Sequence, residues 1–140
     1  MNDLEAIRRL LALYALLLDA KRLPEWGELF TEDAVFLVFG RTLRGRAEIV
    51  SAVGSMQPKE ALKHAVLQPV IDRVDVDRAR AWSDFSVMLA APDGGVRTTN
   101  FATYHDRLRK CDDGRWRIAQ RAIVAPGDEL PPGVDALPSA

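Results

Sequence analysis

"LYALLLDAKRLPEWGELFTEDAVF", Leu13 to Phe36, passes from a helix through a turn and a second short helix into a strand, and the fold is read outward from it. Upstream, apolar residues recur at Leu4, Ile7, Leu10, Leu11, Tyr14, Leu17 and Leu18, the 3.6-residue period of a helix with a broad buried face. Asp19 ends that run. Downstream, "LPEWGELF" sets Leu23, Trp26, Leu29 and Phe30 on one side, and Pro24 suits a first helical turn. "EDAVFLVF", rich in Val and Phe and stopped by Gly40, reads as a strand. "GRAEIVSAV" after Gly45 returns to helical spacing through Ala47, Val50 and Val53 and ends near Gly54.

Past Pro58 the pattern becomes extended. "LKHAVLQPVIDRVDV", "RARAWSDFSVMLAA", "VRTTNFATYHDRLRK" and "RWRIAQRAIV" are β-rich, and Asp-Gly pairs in "APDGGVR" and "CDDGRW" mark hairpins between the last three. Helices first and an antiparallel meander afterwards predict an α+β fold, with the helices packed on one face of a curved sheet. The domain is expected to run over residues 1–125. Residues 126–140, "PGDELPPGVDALPSA", are Pro-rich and poor in apolar side chains, and read as a tail that is mobile or draped over a neighbour.

The chain has 140 residues, 48% hydrophobic and 28% charged, enough for one domain with its own core. With 19 basic and 20 acidic residues the formal charge is -1, so no whole-molecule field gathers nucleic acid or an anionic membrane. Arg41, Arg44 and Arg46 form one local basic cluster, but it lacks the interleaved aromatics of a nucleic-acid surface. The start, "MNDLEAIRRL", does not read as a secretory leader, and no stretch reaches the roughly 20 apolar residues of a membrane span. A cytoplasmic protein with neither nucleic acid nor membrane as partner is expected. Cys111 is a lone thiol, and the two histidines, His64 and His105, stand far apart, which argues against a metal site. There is no phosphate loop and no nucleophile elbow. The expectation is no metal and no cofactor.

Taken in order, several motifs resemble the SnoaL-like branch of the nuclear transport factor 2 (NTF2-like) superfamily over roughly Leu4 to Val124. They are "Y-x4-D" (Tyr14, Asp19), "LFTEDAVF" (Leu29 to Phe36), "G-x4-I" (Gly45 to Ile49), "LKHAV" with His64, "YHDRL" (Tyr104 to Leu108) and "WRIAQRAIV" (Trp116 to Val124). The resemblance implies a cystatin-like cone in which helices and a curved antiparallel sheet surround a pocket. Relatives include dehydratases, isomerases, cyclases, epoxide hydrolases, binding modules and the small subunits of ring-hydroxylating oxygenases, so the fold leaves the reaction open.

By that resemblance Asp19 looks into the mouth of the cone and lines the pocket, and His64 faces it, as a matching pair does in scytalone dehydratase-like relatives. A carboxylate accepting from one imidazole nitrogen fixes the tautomer and frees the other nitrogen for a substrate proton. His64 is then base or acid, and Asp19 its orienter. Blander alternatives stay open: a solvated helix end for Asp19, although a negative charge there opposes the helix dipole by about 0.3–1 kcal/mol, and a backbone-bonded His64. Ketosteroid isomerase, another superfamily member, is similar around Tyr14, which implies a hydrogen-bond donor to an oxygen. Its base falls near Val38, where no carboxylate stands, so steroid isomerisation is disfavoured.

Trp26 and Phe36 are expected as apolar walls, with Ser83, Asn100 and Thr98 as polar liners. His105 should share the outer face with Thr103 and Arg107 if Tyr104 and Asp106 share the inner one, since strand neighbours alternate. Ala102 replaces the family's usual glycine two residues before this tyrosine, narrowing the pocket. The reading is a small cofactor-independent lyase, dehydratase or isomerase that moves protons on an apolar cyclic or polyketide-like small molecule, with Asp19, His64 and Tyr14 as catalytic residues. The alternative is a non-catalytic ligand-binding or assembly module related to oxygenase small subunits, whose cone would be filled. A homodimer through the outer sheet face is expected, because the helices cover only the other face.

Overall fold

The computed structural model describes residues 1–140. Helix α1, Asp3–Asp19, opens with a capping box in which Asn2 and Glu5 satisfy each other's backbone N–H groups. Its buried stripe runs from Ile7 through Leu10, Leu11, Tyr14 and Leu17 to Leu18. The helix ends where Lys21 adopts a left-handed φ of 57° and the Arg22 N–H reaches back to the Leu17 carbonyl at 2.9 Å, which turns the chain sharply after Asp19. Helix α2, Leu23–Gly27, packs on helix α3, Arg46–Met56, through two small residues. A methyl group added at Gly27 would stand 2.7 Å from Val50, and one at Gly54 2.8 Å from Leu23.

The strands are β1 (Phe30–Val38), β2 (Arg41–Arg44), β3 (Leu62–Val66), β4 (Val70–Arg73), β5 (Arg78–Ala90), β6 (Val96–Lys110) and β7 (Trp116–Val124). They form one sheet in the order β2-β1-β7-β6-β5-β3, with β4 pairing the other end of β5. The expected hairpins at the two Asp-Gly pairs join β5 to β6 and β6 to β7. Three details depart from the sequence reading. "RTLR" forms the short strand β2, the segment after Pro58 is two strands interrupted around Pro69, and β1 runs parallel to β7, making the sheet mixed. No local pattern sets the direction of a pair between the first and last strands.

Bulges interrupt β5/β6 between Val87 and Met88 and β6/β7 between Arg107 and Leu108, where an extra residue bends the sheet. Each shifts the in/out alternation by one. Residues Ile118 and Arg121, three apart, are consequently both buried. Asp3 ties the start of α1 across the sheet, accepting from Trp116 Nε1 at 2.9 Å, Lys110 at 3.1 Å and Arg73 at 3.0 Å. No helix is long and apolar enough to cross a membrane.

The Pro-rich segment lies on its own sheet. The Asp135 carbonyl accepts from His105 Nδ1 at 2.7 Å, and the Asp135 carboxylate accepts from Arg107 at 2.8 and 3.1 Å, with Arg80 at 3.5 Å. Gln120 donates to the Gly133 carbonyl. His105 is on the outer face, as alternation predicts, but this segment buries it. The Arg107 guanidinium holds the Asp135 carboxyl below the usual carboxylate range. Because that folded-state value is lowered, the docking it supports is present at neutral pH and is lost as pH falls through the depressed value, below about pH 4. Protection factors of the amides in residues 126–135, taken relative to intrinsic exchange at each pH, should therefore fall in acid in wild type and already be low at neutral pH in Asp135→Ala. Equal protection in Asp135→Ala and wild type would contradict this anchoring.

Candidate active site

Asp19 and His64 meet where the end of α1 crosses β3. The Asp19 carboxylate takes two hydrogen bonds from one residue: its Oδ1 lies 2.6 Å from His64 Nδ1, and its Oδ2 accepts from the His64 backbone N–H at 2.9 Å. Lys63 Nζ stands 3.4 Å from the same Oδ2. These contacts offset the burial of Asp19, whose side chain is 3% exposed, at the unfavourable end of a helix. A carboxylate can only accept, so Nδ1 carries the ring proton. Nε2 has no protein partner.

Beyond His64 opens a cavity of about 300 Å³, lined by thirteen hydrophobic residues of eighteen and by no Asp, Glu, Lys or Arg. His64, Tyr14, Phe36 and Asn100 all stand on its wall. Asp19 does not. It sits behind the imidazole and faces a separate cleft with Lys21, Lys59 and Lys63, because both its oxygens are engaged by the back edge of His64. The expectation that Asp19 itself lines the pocket is thus corrected. Trp26 and Ser83 are also absent from the wall. Trp26 is fully buried among Tyr14 and Phe30, with ring centroids 5.3 and 4.8 Å away, and Ser83 is buried with its hydroxyl unpartnered. Thr98 is replaced on the wall by Thr99, which the bulge in β6 brings to the same side as Asn100.

A row of flat groups connects the dyad to the core. The His64 ring stacks near Phe85 (6.4 Å, 28°), Phe85 lies parallel to Tyr104 (3.9 Å, 5°), and the Arg121 guanidinium sits 3.8 Å from the Tyr104 ring and 4.1 Å from the Tyr14 ring. Arg121 is fully buried and grips Asp106 with two bonds of 2.8 Å, while its Nη1 has no partner. Burial alone would disfavour its charge, but Asp106 outweighs that and keeps the guanidinium protonated. Burial pushes the Tyr14 phenol up to about 12 against the opposing pull of Arg121, and pushes Tyr104 well above its ordinary value. Both are neutral donors at pH 7. The sequence reading missed Lys63, Thr99, Tyr104 as a wall residue, and the Asp106–Arg121 pair. Only the pairing of Tyr104 with Asp106 on one face was visible in the alternation.

A SnoaL-like domain model matches residues 1–122. No curated protein matches the chain. Among solved structures, the chain is similar to a variant of Rv3472, a protein of unknown function from Mycobacterium tuberculosis. The identity is 30% over 86% of this chain and 70% of that one, with a TM-score of 0.79. It is similar also to an NTF2-like protein with a cystatin-like fold from Novosphingobium aromaticivorans, at 25% identity over 90% and 84% of the two chains and a TM-score of 0.81. A scytalone dehydratase-like protein from the same organism shares the fold at 19% identity, covering 92% of this chain and 95% of that one, with a TM-score of 0.74. With its helices on a bent sheet, its open cone and a family match over nearly its whole length, the chain belongs to the SnoaL-like domain family.

Proposed function

We propose that the protein is a cofactor-independent lyase, dehydratase or isomerase that moves a proton on a neutral, apolar cyclic or polyketide-like molecule. The observation that carries this reading is the His64 ring itself, tied at Nδ1 to a buried carboxylate at 2.6 Å while it forms part of an apolar cavity wall. Nε2 takes a proton from a C–H beside a carbonyl, and the Asp19 carboxylate stabilises the imidazolium that results. Tyr14 donates to the oxygen on which negative charge develops. The imidazolium then returns its proton, to another carbon in an isomerisation or to a departing hydroxyl in a dehydration. The scytalone dehydratase-like neighbour lends support at the level of fold. A filled cone would have favoured an assembly module, and this cone is open.

The test is hydrogen exchange at the activated ring carbon of 2-tetralone in D2O, followed by NMR. Wild type should accelerate the exchange over buffer and His64→Ala should not. Equal rates for the two proteins would remove the proton-transfer role.

A further inference from the structure

We propose that Phe39 covers the mouth of the cavity over a bound flat ring system, and so selects fused-ring ligands. This rests on the reading of the cavity as the binding site for a neutral apolar molecule. Phe39 and Gly40 are the whole connection between β1 and β2, since Val38 pairs directly with Arg41. Their φ angles are 49° and 74°, both left-handed, as in the two-residue hairpin turn that favours Asn-Gly or Gly-Gly. A bulky aromatic is a poor choice for the first position, because its Cβ crowds the backbone there. The same side chain is also 67% exposed.

Phe39 belongs neither to the hydrophobic core nor to the side chains packed against it, so the core does not offset either cost. Both are explained by an occupant, because Phe39 lines the cavity and, with Met56, stands at its exposed edge. Met56, at the end of α3, is itself 37% exposed. A ligand seated against Phe85 and His64 would bring its outer edge under these two side chains. The rim and wall offer apolar surface and carry no charge. The ligand class they fit is a neutral fused-ring phenol or ketone, with its oxygen toward His64, Asn100 and Tyr14.

Strain and binding pull opposite ways at this position, and the experiment uses that. 2-Naphthol is the probe, with its fluorescence as the binding signal and thermal melting as the stability signal. Phe39→Asn should melt above wild type in the absence of ligand, because asparagine accepts the turn, and should bind 2-naphthol about ten-fold more weakly. Phe39→Trp should keep wild-type affinity. Unchanged affinity in Phe39→Asn would overturn the proposal, as would a lower melting temperature, which would make the ring part of the fold. If wild type itself fails to bind 2-naphthol, the cavity reading falls and this proposal with it. Normal binding by Phe39→Asn alongside His64-dependent exchange would sink only the role of Phe39.

Discussion

Asp106→Leu is expected to cost the fold about 3–5 kcal/mol, the usual consequence of removing one partner from a buried ion pair. The substitution leaves the Arg121 guanidinium, fully buried and already short of a partner at Nη1, without its two 2.8 Å acceptors. The two tyrosine rings against its faces contribute cation–π attraction but cannot accept all its N–H groups. At roughly 2–4 °C per kcal/mol for a chain near this size, the melting temperature should drop by about 6–20 °C. Arg121→Met should behave similarly, stranding Asp106 instead. The double variant Asp106→Leu/Arg121→Met should recover most of the loss, because no charge is then buried alone. Urea unfolding of the four proteins measures the coupling, and additive losses would show that the pair does not act as a unit.

Asp19→Asn should lower turnover by about 10²–10⁴-fold, the range by which positioned acid–base groups contribute, while the protein stays folded. The amide can still accept from the His64 backbone N–H, but its Nδ2 can also donate to Nδ1. That would move the ring proton to Nε2, the nitrogen meant to receive one from substrate. The imidazolium would also lose its stabilising charge. Nitrogen NMR of labelled imidazole distinguishes the tautomers: wild type should show Nδ1–H and the variant a shift toward Nε2–H. A variant with unchanged tautomer and unchanged turnover would reduce Asp19 to a structural cap.

The sequence made the helices and most strands legible because each rests on a strong local signal, whereas the meeting of Asp19 with His64 was implied by the family resemblance. An apolar stripe at 3.6 spacing gives α1, and an acidic residue at its end needs a partner. Trp26 was harder to place: one helical turn cannot show whether an aromatic faces core or cavity. The Asp106–Arg121 pair was hidden more deeply. Simple alternation along β7 from Ile118 would turn Arg121 outward, and only the bulge, set by the pairing of β7 with β6, turns it in. The same kind of irregularity moved the polar wall from Thr98 to Thr99. Bulges belong to strand pairs, and a single strand's pattern does not carry them.

The segment resting on the outer sheet face bears on any association through that face. Its anchor is covalently tethered beside His105 and Arg107, so it competes as though present at an effective concentration on the order of mM. A second copy docking there must displace this internal rival, and its apparent affinity falls by the share of molecules in which the face is occupied. Exchange is the exception. If two copies trade these segments, each face recovers the same hydrogen bonds from the other chain, and pairing proceeds without emptying either surface.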